Sequence, residues 1–134
     1  MRIELTKKQL RRLLDLVYIG NWILNSARGD DRIRDYDEIE STLFALAAEK
    51  LSPGLAELSE GEVIASKAFV EGGIHEAIMD YEDTVFFEIL AEELARRDME
   101  LDGENEDPDR LRARIDEYIS EFEIHGTDNL TVTP

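Results

Sequence analysis

Three groups of side chains in this chain carry chemistry by their type and spacing. Asn21, Asn25 and Arg28 fall on the apolar side of the first helical segment. Amides there must find hydrogen-bond partners, and a guanidinium can hold a carboxylate or phosphate through two parallel bonds. They read as a small-ligand pocket or, more plainly, as an internal network tying the helix to acids such as Asp35 or Glu38. The stretch DMELDGENEDPD, Asp98 to Asp109, places seven acids in twelve residues around Gly103. That is a supply of the hard oxygens that divalent cations want. Tyr18, Ile19 and Trp22 continue what begins as the polar face of the first helix. An apolar group so placed reads as a contact surface for a second copy of the chain.

Set against the twelve-residue calcium loop of EF-hands, Asp98, Glu100 and Asp102 occupy the first, third and fifth positions. Gly103 stands at the sixth, Glu106 at the ninth and Asp109 at the twelfth. The pattern then departs. The twelfth position wants a bidentate Glu and finds a shorter Asp, and Asn105 stands at the eighth, where paired loops place a branched apolar residue. Pro108 after Asp107 equally marks an ordinary helix start. The expectation is an acidic, solvated connector between helices, with calcium as the alternative. A second carboxylate pattern resembles, incompletely, the magnesium-holding Glu-x-x-Glu and Glu-x-x-Asp pairs of all-α nucleotide pyrophosphohydrolases: Glu57 with Glu60, and Asp80 with Asp83. That resemblance implies a magnesium-dependent enzyme as the alternative function. His75 and His125 are far apart, and Glu121 with His125 supplies only two ligands, too few for a metal site. His125 reads instead as a complement to the negative end of its helix.

These residues need positioning, and the elements that do it are helical. Thr6 and Gln9 form a capping box that opens a helix extending to about Ala27. Ile33, Tyr36, Ile39, Leu43, Leu46 and Ala47 recur at three- and four-residue steps, predicting a second helix after Asp30 or Asp31. Ser52 with Pro53, and then Ser59 with Glu62, predict two further helix starts before Gly72-Gly73 breaks the chain. A long helix is predicted from Ile74 to about Asp98, and a last one from Pro108 to a stop at Gly126. RIEL and NLTVT alternate, so a short two-stranded ribbon joining the termini is expected. The fold class is therefore all-α, a bundle of four to five helices in a single acidic domain, 1–134.

The strings LVYIGNW, DYDEIE and YEDTVFFEILAEELARRD resemble an uncharacterised family of short, acidic, mostly helical bacterial hypothetical proteins. The resemblance implies a mostly helical bacterial protein and transfers no functional residue.

Charge bounds the partners. Asp plus Glu number 32 against 15 for Lys plus Arg, a formal net charge of −17. Such a field repels nucleic acid and anionic lipid and attracts cations, basic proteins and basic peptides. With no cysteine there is no disulfide and no thiolate site. MRIELTKKQL is too polar for a signal peptide, so a cytoplasmic protein is expected. No phosphate-binding glycine loop or nucleophile elbow is present. The function expected is that of a small, non-enzymatic, self-associating interaction module, a homodimer that also takes basic partners, and no cofactor is expected.

Overall fold

The computed structural model describes residues 1–103 and 107–133. The chain divides into two compact units, Met1–Ile78 and Met79–Pro134.

The first unit is built on two helices. α1, Lys7–Asn25, begins at the expected capping box: Thr6 Oγ1 accepts from the Gln9 amide, and the Thr6 amide donates to Gln9 Oε1 at 2.9 Å. Two of the four orphan amides at a helix start are thereby satisfied. α2, Arg34–Lys50, buries Phe44 and Ala47 completely. The core gathers Leu14, Phe44, Ala47, Ala65 and Phe69, with Tyr18 packed at its margin. Phe44 and Phe69 meet edge to face at 4.9 Å. Burying one phenylalanine this fully contributes about 2–3 kcal/mol.

Between α2 and the next helix the chain departs from the all-helical expectation. Ser52 and Pro53 open only a single 3₁₀ turn, Pro53–Leu55. β1, Ala56–Ser59, then pairs antiparallel with β2, Glu62–Ala65, Ala56 lying opposite Ala65 and Ser59 opposite Glu62. Glu60 and Gly61 join them, both with positive φ, 51° and 80°. That is the backbone of a mirror-image two-residue hairpin turn, which matches the twist of the strands. The spacing of Ser59 and Glu62 therefore marks a hairpin, not a capping box. The two-stranded ribbon is this hairpin. The termini do not form one: Ile3 and Val132 are exposed and lie outside any strand.

Ser66 fastens the end of the hairpin. Its hydroxyl donates to the Gly54 carbonyl at 2.6 Å and accepts from the Phe69 amide at 3.1 Å, capping the one-turn helix α3, Lys67–Phe69. Gly72-Gly73 then breaks the chain as expected, Gly73 at φ 107°. α4, His75–Leu101, starts there, and the boundary between the units falls within it.

The second unit holds the rest of α4 and α5, Pro108–His125, capped by Asp107 through its bond from the Asp109 amide. Phe122 is buried there, 5.5 Å from Phe87 and stacked on Tyr118. No helix among the described residues is long and apolar enough to cross a membrane.

Candidate functional site

The best-built polar constellation lies between α1 and α2. Asn21 and Asn25 are one turn apart on the buried face of α1, and both are buried. Asn25 closes the inter-helix loop. Its Oδ1 accepts from the Ile33 amide at 2.8 Å, and its Nδ2 donates to the Ile33 carbonyl at 3.0 Å and to Asn21 Oδ1 at 2.6 Å. Ile33 precedes α2 and has no side-chain cap, so Asn25 satisfies both of its backbone groups. Asn21 Nδ2 is thereby aimed at α2, where it donates to Asp37 at 3.0 Å and to Glu40 at 3.2 Å.

The two carboxylates differ in their company. Arg32 grips Asp37 with a fork, Nε to Oδ2 at 2.6 Å and Nη2 to Oδ1 at 2.7 Å. That bond, with Asn21's, holds the Asp37 carboxyl below the usual range against the opposing effect of burial. Glu40 has the bond from Asn21 and, among the described residues, no ion pair of its own. Burial pushes its carboxyl up, the Asp37 charge adds to the rise, and the Asn21 bond and Arg32 act against it.

An open cleft of about 350 Å³ lies over these groups, lined by Tyr18, Asn21, Trp22, Ser26, Arg32 and Glu40. His75, at the start of α4, braces its aromatic side. Its Nε2 lies 2.6 Å from the Tyr18 hydroxyl, which donates to it when the imidazole is neutral. Its ring meets Trp22 at 4.6 Å and Tyr18 at 5.5 Å, perpendicular to both. Burial and the neighbouring Glu40 charge raise the Tyr18 hydroxyl, which keeps it protonated. No buried side-chain nitrogen or oxygen among the described residues lacks a partner.

Of the sequence-predicted trio, Asn21 and Asn25 come together and Arg28 does not. α1 ends at Asn25, so Arg28 leaves the helical phase. It donates instead to the Leu24 carbonyl at 2.8 Å and to Asp31 at 2.9 Å, on the surface. The acids that meet the asparagines are Asp37 and Glu40, while Asp35 and Glu38 are exposed. Of the apolar group on α1, Tyr18 is half-buried against Phe69, 5.5 Å between rings, and Ile19 is half-buried. Trp22 is 37% exposed at the cleft. Sequence reasoning missed Arg32, Asp37, Glu40 and His75. A signal for two of them exists: Asp37 and Glu40 fall in helical step with the buried Phe44 and Ala47, so polar residues interrupt a core stripe.

The acidic stretch builds no common centre among the described residues. Asp98 is still helical within α4; it accepts from the Tyr118 hydroxyl and pairs with Arg97 at 2.8 Å. Asp102 pairs with Arg114. Glu100 is exposed on α4 and Asp109 is exposed in the first turn of α5, while Glu106 and Asn105 lie outside the described residues. The first ligand positions of a calcium loop are thus wound into a helix, and the Asp98 and Asp102 carboxylates face cations of the same chain. No group of three metal-ligating side chains converges among the described residues. Glu57 sits on β1, where it accepts from the Lys67 amide, and Glu60 sits in the hairpin turn, so neither is on a helix. Glu121, beside His125, also accepts from Asn129 at 2.6 Å.

Compared with known proteins, the chain matches no family model, no curated protein and no solved structure.

Proposed function

We propose that this protein is a non-enzymatic acidic interaction module that takes a basic protein or peptide at the α1–α2 cleft. The observation that carries the reading is Glu40: a half-buried carboxylate without an ion pair among the described residues, beside two aromatic rings. The neighbouring cation, Arg32, is already occupied by Asp37. The cleft therefore has one uncompensated negative charge, which a visiting cation would neutralise in partly desolvated surroundings where the attraction exceeds its value in water. The net charge of −17 draws such a partner in from a distance and fits the same sign.

Calorimetric titration with a lysine-rich peptide and with its glutamate-rich counterpart tests this reading. The basic peptide binds, more weakly as salt rises, and the acidic one does not. Equal heats from the two peptides, or none from either, would defeat it.

Self-association is the second reading, and one observation favours it. Leu16 and Ile23, 68% and 63% exposed, lie on the side of α1 away from Leu14 and Asn21. Light scattering of the wild type should report a dimer that Leu16→Glu with Ile23→Glu dissociates. A wild type that stays monomeric at high concentration removes this reading and leaves the first intact.

A further inference from the structure

We infer that the cleft is a site for a primary alkylammonium group, with Glu40 as its counter-ion and Trp22 and Tyr18 as the wall along its hydrocarbon stem. The inference deepens the basic-partner reading and rests on it. An alkylammonium is a compact charge carrying three donors on an apolar stem. The cleft lining supplies matching residues: the acid Glu40, the hydroxyl-bearing Ser26 and Tyr18, and two aromatic side chains.

The choice of ammonium over guanidinium follows from the spread of acceptors in the cleft. A planar guanidinium gains most from both oxygens of one carboxylate at once, as Arg32 does with Asp37. An ammonium points its three donors apart and needs only one carboxylate oxygen, which suits a lining that pairs the single acid Glu40 with the hydroxyl-bearing residues Ser26 and Tyr18. The aromatic side is held in place by His75, hydrogen-bonded to Tyr18 and perpendicular to Trp22, so the wall is formed before the ligand arrives. Burial also favours the inference energetically: a carboxylate that folding has pushed towards neutrality regains a partner when a cation binds.

The shared chemistry has two sources, a lysine side chain of a partner or a free amine. Trp22 is the one tryptophan of the chain and sits at the cleft, so its fluorescence reports occupancy of the site directly. The full chain is titrated with butylammonium, a capped lysine, the same lysine acetylated at Nζ, and a capped arginine, all at constant ionic strength. Butylammonium and capped lysine should change Trp22 emission saturably, at about millimolar concentration for ligands so small. Acetylated lysine should not, and arginine should bind more weakly than lysine. Glu40→Gln, which keeps shape and removes charge, should weaken both amines about tenfold. Circular dichroism of the variant confirms that it is folded; Glu40→Asp, which restores the charge one methylene short, gives a second folded variant that should retain part of the affinity. Emission changes that are the same for Glu40→Gln as for wild type, or the same for acetylated as for free lysine, overturn the inference. A lysine-rich peptide that binds while the small amines do not also overturns it, and leaves the basic-partner reading standing. Small amines that bind through Glu40 while the peptide does not uphold the ammonium site, assign its ligand to free amines and remove the peptide reading.

Discussion

The side-chain amide of Asn21 donates across the gap between α1 and α2 to Glu40 at 3.2 Å. The same nitrogen serves Asp37 at 3.0 Å, and of these two acids Asp37 alone is gripped by Arg32. Two acids three residues apart are thus driven in opposite directions, Asp37 down by Arg32 and Glu40 up by burial.

Glu40 should therefore cost the protein stability at neutral pH. Its folded-state pKa lies above its unfolded value, so its favourable contribution is complete below the ordinary carboxylate range and is lost as pH rises through the folded value. Glu40→Gln should melt at a higher temperature than wild type at neutral pH, and the gap should close in acid. Thermal melts at the two pH values decide this; a variant less stable at neutral pH would contradict it.

Asn25 and Arg28 should separate cleanly. Asn25 is 1% exposed and satisfies both backbone groups of Ile33. Asn25→Ala leaves those groups and Asn21 short of partners and should cost about 3 kcal/mol in denaturant unfolding. Arg28 is exposed, its partners local, so Arg28→Ala should stay within about 0.5 kcal/mol. Comparable losses would mean that Arg28 belongs to the network after all.

The hairpin rests on two left-handed residues. Gly61→Val places a branched side chain at φ 80° and should destabilise by about 1–2 kcal/mol. Glu60→Asn, at φ 51°, should stabilise by a few tenths of a kcal/mol, since Asn tolerates that region better. Chemical denaturation of both variants measures the pair, and opposite signs are the expected result.

The acidic stretch should bind calcium no more tightly than about a millimolar, without selectivity over magnesium. Asp98 is held well below the usual range by the Tyr118 hydroxyl and by Arg97, and Asp102 by geometry belongs to Arg114. Recruiting either would first break those contacts. Calorimetry with calcium in excess magnesium measures it; a micromolar isotherm abolished by Asp98→Asn and Asp102→Asn would reverse the assignment.

Much of the helical framework was readable in local signals: the Thr6–Gln9 box, the Gly72-Gly73 break, and Asp107-Pro108 before α5. The hairpin was not. Four-residue strands offer too few alternating positions, and Ser52-Pro53 and Ser59…Glu62 are also what helix starts look like. Of the site, Asn21 and Asn25 were visible because amides on an apolar stripe must be satisfied. Their partners were not, because the apolar stripe read along α2 ran through Tyr36, Ile39 and Leu46, which are exposed, and so hid the step that Asp37 and Glu40 keep with the buried Phe44 and Ala47. Which acids face α1 depends on where the loop closed by Asn25 and Ile33 sets the phase of α2. His75, 57 positions from Tyr18, is a tertiary partner with no sequence signal.

Under the proposed function a basic ligand is taken at Glu40 and not by acidity in general. Nitrogen-15 NMR of the full chain, titrated with a lysine-rich peptide, tests it most directly. The Trp22 indole and the Asn21 side-chain amide should shift first and saturate together, and Glu40→Gln should abolish those shifts. Shifts confined to Asp98–Asp109 and unchanged in Glu40→Gln would contradict it.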